Sequence, residues 1–233
     1  MGMFLSRGPA PRRTRMSDLE IGRSIKLNLN GTPWDWLVVH QGLPSSLYDA
    51  SCDGTWLLSK DIYEERQWHS SDVNDYANST IHSYLNSTFL SMFDSNIQNA
   101  IKQVKLPYRA GSGYGKTVTS GASGLQAKIF LLSSTEVNLV HEYEPTNEGA
   151  CLSYFSGTTQ NGSDTKRVAY LSGSPASWWL RSPNCNSQNG SLRALRVSQS
   201  GGWYGNGCSN SYGIRPAIIL HSDMLVTDDM LAA

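Results

Sequence analysis

The sequence predicts a single α+β domain built from small antiparallel sheets and two or three short helices. Three observations carry this reading. Apolar residues alternate in short runs near both ends of the chain, a 3.6-residue period occupies its middle, and no segment repeats. Strands, then helices, then strands again mark a mixed domain rather than a doubly wound one.

Ser24 to Leu29 alternates Ile25, Leu27 and Leu29 with polar residues, as a half-buried strand does. Asn30-Gly31 is a hairpin-turn signal, so Trp34 to Val39 is expected as the returning strand and Thr55 to Ser59 as a third. From Ser79 the apolar spacing changes: Ile81, Tyr84, Leu85, Phe89, Met92 and Phe93 predict an amphipathic helix capped by Asn78 or Ser79. A second helix is expected from near Ser95 through Ile97, Ala100, Ile101 and Val104, ended by Pro107.

Arg109 to Gly124 is dense in Gly and Ser and reads as a loop; Lys128 to Leu132 reads as an apolar strand. Ser133-Ser134-Thr135-Glu136 has the form of a capping box and predicts a further short helix. Tyr143 to Ala169 is polar and is expected to be a long surface excursion. Strand character returns at Trp178–Leu180, Leu192–Val197 and Ile214–Leu220. The domain is placed at 17–222, with 1–16 a disordered leader or expression remnant, Met16 a plausible natural start, and 223–233 a flexible tail.

Composition narrows the function classes. Charged residues make up 16% of the chain against a usual ~25%, and Asn, Ser, Thr and Gly fill the difference. Lys+Arg and Asp+Glu are both 19, so no net field steers the chain toward nucleic acid. No apolar run approaches the roughly 20 residues of a membrane span, and Met3-Phe4-Leu5 is far short of a secretory core. The expected partners therefore exclude nucleic acid and membrane insertion.

Several motifs carry chemical residue types without the context that chemistry needs. Ala110 to Thr117 matches a relaxed phosphate-loop pattern, but Lys105-Leu106-Pro107 precedes it and a Gly/Ser stretch follows, so neither the strand nor the helix is expected. His69-Ser70-Ser71-Asp72 holds the residue types of a hydrolase triad as sequence neighbours, which rarely form one. Glu144-Pro145-Thr146-Asn147 resembles a calcium-dependent sugar motif with one residue too many, so no cofactor is expected and calcium is the single alternative. Cys52, Cys151, Cys185 and Cys208 form no metal-finger pattern; for Cys185 and Cys208 a bridge and two buried thiols both stay open. The Asn-x-Ser/Thr sequons at Asn30, Asn78, Asn86, Asn161 and Asn189 matter only in a glycosylating compartment.

The segment from Asn184 to Tyr212 differs from the rest. It holds five Asn, six Ser and five Gly, with no Lys, Asp or Glu, and Arg193, Arg196, Trp203, Tyr204 and Tyr212 are mixed in. Antibody paratopes have this composition: aromatic rings give rigid contact area, Arg anchors, and small polar residues adapt. A polar insert between the two apolar flanks Trp178–Pro183 and Gly213–Leu220 is how binding loops are mounted. Alternation places Leu195 and Val197 inward and Arg196 and Ser198 outward, with Trp203 and Cys208 as inward props and Tyr204 and Asn206 exposed.

Trp-Trp-Leu-Arg-Ser-Pro at 178–183 and Tyr-Gly-Ile-Arg-Pro-Ala at 212–217 resemble the closing signature of a family of unknown function common in prophages and gut phages. Asp35–Val39, Leu57–Lys60, Ile81–Phe89 and Lys128–Ser133 resemble it too, so the likeness runs from Leu19 to Leu220. It implies a C-type-lectin-like fold and kinship with the variable proteins of diversity-generating retroelements, in which adenine-directed mutagenesis rewrites Asn codons. On that resemblance the diversified positions are Asn184, Asn186, Ser187, Asn189, Arg193, Arg196, Ser198, Ser200, Tyr204 and Asn206. Trp178, Arg181, Trp203, Cys208 and Arg215 support them, while Gln188, Gln199 and Trp203 are fixed.

The expected function is ligand binding, not catalysis, with a protein or glycan on a host or environmental surface as partner. The place implied is a virion, or the bacterial cytoplasm before assembly or export. Two alternatives remain: a phage structural module that is not diversified, and an enzyme similar to the formylglycine-generating proteins, which would need a reactive thiol at Cys185 or Cys208.

Overall fold

The computed structural model describes residues 14–145, 148–186 and 192–231. Asn30 and Gly31 both take positive φ, 51° and 75°, the type I′ geometry that suits a two-residue hairpin. The strands they join, Ser24–Leu29 and Thr32–Gln41, pair antiparallel and open a five-stranded sheet. Thr55–Ser59, Ala217–Leu220 and Ile129–Phe130 complete it.

This first sheet is covered on both faces. Ile25, Trp36, Val38, Leu57 and Ile218 point into one hydrophobic cluster, and Leu37, Val39, Trp56, Leu58 and Ile219 into another. Successive side chains leave a strand on opposite faces, so a strand between two cores is buried on both. That is why all of Thr55–Ser59 is buried.

The second sheet has the order Trp203–Gly207, Arg193–Val197, Trp178–Asn184, Ser211–Ile214, Glu64–Gln67. Its pairings are antiparallel except Trp178–Asn184 against Ser211–Ile214, which run parallel, so the expectation of antiparallel sheets holds for all but this contact. Two short links join the sheets directly, at 60–63 and at Arg215-Pro216, and these crossings lie side by side. The Ser59 N–H donates to the Pro216 carbonyl at 2.8 Å, and Arg215 donates to the carbonyls of Ser59 and Lys60 at 2.8 and 3.0 Å. Arg215 thus ties the two crossings together, a structural task for the Ile-Arg-Pro motif.

The middle of the chain supplies the helices. Thr80–Tyr84 is α-helical, Leu85–Phe89 widens into a π-turn, and Leu90–Met92 closes as 3₁₀. Ser79 caps the run by accepting the His82 N–H at 3.2 Å, and Ile81, Leu85, Phe89 and Phe93 fill the first cluster. The second helix spans only Ser95–Ala100. Val104 belongs to a strand, Val104–Leu106, paired with Leu125–Ala127, because cross-strand pairing outweighs the helical spacing there.

Three other expectations need correction. Ser133 and Glu136 do make the reciprocal bonds of a capping box, at 2.9 and 3.1 Å, but residues 134–138 form turns and no helix follows. Among its described residues, the 143–169 stretch is a surface excursion only in part: much of 156–166 is exposed, but Leu152, Phe155 and Ala169 enter the second cluster, and Arg167 is fully buried. Nor are residues 223–231 a loose tail. Met224, Val226, Met230 and Leu231 pack on the first cluster, and Met16, assigned to the leader, is fully buried and donates its N–H to the Met224 carbonyl.

Candidate binding site

The insert hangs on the Trp178–Asn184 strand, and every side chain of that strand is buried. Trp178 enters the second cluster and Trp179 the first. Between the cores lies an ion pair: Arg181 meets both carboxylate oxygens of Glu136, at 2.5 and 2.7 Å, with both side chains fully buried. A buried pair is tolerable only when its remaining hydrogen-bonding capacity is filled. Here Tyr48 and the Ser133 N–H donate to Glu136, and Arg181 also donates to the carbonyls of Pro107 and Leu131. Arg181 therefore fastens the Pro107 and Leu131–Glu136 segments, and through Glu136 also Tyr48, to the strand that carries the insert.

Beyond it the chain forms a hairpin, with Arg193–Val197 and Trp203–Gly207 in register and Arg196 opposite Tyr204. The Ser198 hydroxyl accepts the Gly202 N–H at 3.0 Å and closes the turn. Gly201 lies at φ 81°, where a Cβ would come within 2.0 Å of the Asp164 carbonyl oxygen. The turn is docked against residues 163–164, and Arg167 donates to the Gly201 carbonyl at 2.7 Å.

The exposed side of this hairpin is organised by Arg196. Its Nε donates to the Asn206 side-chain amide oxygen at 2.7 Å and one terminal nitrogen to the Ser177 hydroxyl at 2.6 Å. Its guanidinium lies 5.2 Å from the Tyr204 ring and 4.3 Å from the Tyr212 ring, within cation–π range of both. Tyr204 is 59% exposed, the most open large hydrophobic side chain among the described residues. Pro175, Ser177, Arg196, Ser198, Ser200 and Tyr204 border an open groove of about 570 Å³.

The expected positions divide. Arg196, Ser200 and Tyr204 line the groove; Asn206 is half-buried beside them and holds Arg196. Arg193 and Asn186 are half-buried, and the Asn186 N–H donates to the Asn184 side chain. Ser187 and Asn189 lie outside the described residues. Asn184 and Ser198, expected outward, are buried at 5% and 6% exposure. Asn184 ends its strand packed so closely on Gly205 that a Cβ there would meet its amide at 2.0 Å, and Ser198 spends its hydroxyl on the turn. Alternation misplaced Ser198 because the turn, not the strand face, sets where it points.

The supporting residues lie inward. Trp178, Arg181, Cys208 and Arg215 are buried, and half-buried Trp203 stacks on His141 with ring centres 3.5 Å apart. Cys52, Cys151, Cys185 and Cys208 are all free thiols, so the Cys185–Cys208 bridge is not formed. Burial pushes Cys185 up to about 11 and Cys208 up to about 12.

The other motifs have structural occupations. In the Gly111–Thr117 loop the carbonyls of Gly111 and Gly115 turn toward the Arg109 guanidinium, at 2.9 and 2.6 Å, which makes a cradle for a cation rather than a phosphate. His69 accepts the Thr80 N–H, and Asp72 receives the N–H and hydroxyl of Ser209, so the triad-like residues face separate partners. Glu144 is buried. One carboxylate oxygen accepts the His141 N–H and the other has no hydrogen-bond partner among the described residues; burial raises its pKa to about 7, with Glu148 adding to the rise. No group of three or more metal-ligating side chains occurs among the described residues. Sequence reasoning missed Ser177, Tyr48, Glu148 and Arg109, all local to polar stretches with no period to mark them.

A family model described as a domain of unknown function, DUF6273, matches residues 53–222. The chain belongs to the DUF6273 family. The DUF6273 match takes in the whole second sheet and the insert but begins after the first hairpin, so the likeness expected at Asp35–Val39 lies outside it. No curated protein and no solved structure matches this DUF6273 chain. No helix among the described residues is long and apolar enough to cross a membrane.

Proposed function

We propose that this chain is a ligand-binding variable protein of a diversity-generating retroelement, encoded by a phage or prophage, that presents residues 184–212 on a C-type-lectin-like scaffold. Its partner is a protein or glycan on a host or environmental surface, and it is not an enzyme. The observation that carries the reading is the sharp division within the insert. Leu195, Val197 and Cys208 are buried, while Arg196, Ser200 and Tyr204 border an open groove. A rigid frame with substitutable side chains on its rim is what selection for new ligands requires. The raised thiols of Cys185 and Cys208 favour binding over cysteine chemistry, which needs a depressed pKa.

The test is to sequence this locus across isolates and read the codons from Asn184 to Tyr212. The proposal expects substitutions confined to adenine-rich codons at positions such as Arg196, Ser200, Tyr204 and Asn206, beside a near-identical template repeat. A segment as constant as Trp178–Pro183 would overturn the variable reading.

A further inference from the structure

Four strands form the outer edges of the two five-stranded sheets: Ser24–Leu29, Ile129–Phe130, Glu64–Gln67 and Trp203–Gly207. Exposed edges invite pairing with another chain, and proteins blunt them with charge, brevity or cover. Ser24–Leu29 carries Lys26, Glu64–Gln67 carries Glu64, Glu65 and Arg66, and Ile129–Phe130 is two residues long. Trp203–Gly207 has five residues, no charge, and two glycines, and its one inner neighbour is Arg193–Val197. Pairing on one side alone leaves the N–H and C=O of alternate residues facing outward. Among the described residues, no backbone group from Trp203 to Asn206 bonds to any segment beyond this hairpin.

The groove beside this edge supplies the chemistry. Arg196 is the one charged side chain on its border, and its second terminal nitrogen has no hydrogen-bond partner among the described residues. Asn206, Ser177 and the rings of Tyr204 and Tyr212 fix the guanidinium in place, so little side-chain freedom is left to lose on binding. A fixed Arg with spare donors beside an unpaired strand edge matches an extended peptide carrying a carboxylate.

We infer that Trp203–Gly207 takes an extended acidic peptide as an added strand, with an Asp or Glu of that peptide bound by Arg196 and the residue two positions along, on the same face, lying on Tyr204. The pairing gives affinity through the main chain and the carboxylate gives selectivity. This deepens the binding reading above by naming the partner's chemistry.

The experiment pans a random octapeptide library against the whole chain and against Arg196→Gln. Enriched peptides should carry Asp or Glu at one aligned position. A synthetic copy of the best peptide should bind Arg196→Gln about tenfold or more weakly, and N-methylation of alternate peptide nitrogens should abolish binding. Thermal unfolding of Arg196→Gln close to that of the parent shows that the loss is local. Tyr204→Ala, which keeps the Arg196 charge and its bonds to Asn206 and Ser177, should weaken the same peptide several-fold and serves if Arg196→Gln does not fold. No enrichment, enrichment without acidic residues, insensitivity to both variants, or tolerance of N-methylation would each overturn the inference. An acidic oligosaccharide such as tetragalacturonate binding through Arg196 where peptides do not would overturn it as well. Codon variation at the locus is an independent readout: variation with a failed selection removes the peptide and keeps the binder, and a constant locus with a successful selection does the reverse.

Discussion

Glu144 offers a pH test worked directly from its surroundings. The residue is 5% exposed, one carboxylate oxygen lacks a hydrogen-bond partner among the described residues, and burial raises its pKa from 4.5 to about 7, helped by Glu148 and opposed by Ser134, the His141 N–H and Lys116. The folded pKa is above the unfolded one, so between about 4.5 and about 7 the native state holds more protons. Stability therefore falls as pH rises through this window and levels off above it. A rise of that size corresponds to about 3 kcal/mol, at 1.36 kcal/mol per pKa unit. Glu144→Gln keeps the shape and removes the charge. At pH 8 the variant should gain about 3 kcal/mol over the parent, or roughly 6–12 °C in Tm for a chain of this size; at pH 4 the two should nearly coincide. Urea and thermal unfolding at both pH values measure the difference, and comparing variant with parent cancels the other titrating groups. An equal gain at both pH values, or none at pH 8, would refute the reasoning.

Two further outcomes follow from burial. Arg181→Met strands the Glu136 carboxylate and the carbonyls of Pro107 and Leu131, and should lower stability by about 3–5 kcal/mol in urea unfolding; a loss under about 1 kcal/mol contradicts the stapling role. Ser200→Tyr and Tyr204→Ser should stay within about 0.5 kcal/mol of the parent, while Ser198→Tyr, whose hydroxyl closes the hairpin turn, should unfold at distinctly lower urea; equal tolerance at 198 and 200 contradicts the placement.

What the sequence revealed was local. Asn30-Gly31 foretold its hairpin because the turn's backbone demands are met by those two residues alone. The helix after Ser79 was readable because its apolar period and its cap agree. Val104 was misread because its partner Ala127 lies beyond the reach of any helical window. Glu136 was read as a capping residue, which it is, but the same carboxylate meets an arginine 45 positions away, and no local pattern encodes that. In the insert, composition marked the segment as a candidate surface, yet it could not separate Ser198 from Ser200. Two serines two residues apart differ because one hydroxyl closes a turn and the other stands at the rim.

The insert's positions differ in how far a substitution would carry. Tyr204 touches the rest of the chain mainly through the Arg196 guanidinium, and Ser200 through the hydroxyls of Ser163 and Ser198, so either can change with little effect on the cores. Arg196 is different: it binds Asn206 and Ser177 and stacks on Tyr212, which in turn packs on the buried Trp179. Residues that share partners lose additivity, so replacing Arg196 releases Asn206 and Ser177 together and changes the groove as a unit. The surface proposed to be diversified therefore has a graded structure, with independent positions at the hairpin tip and a coupled centre at Arg196. On the proposed reading, ligand choice is set at that centre, because Arg196 fixes both a charge and the geometry of its neighbours.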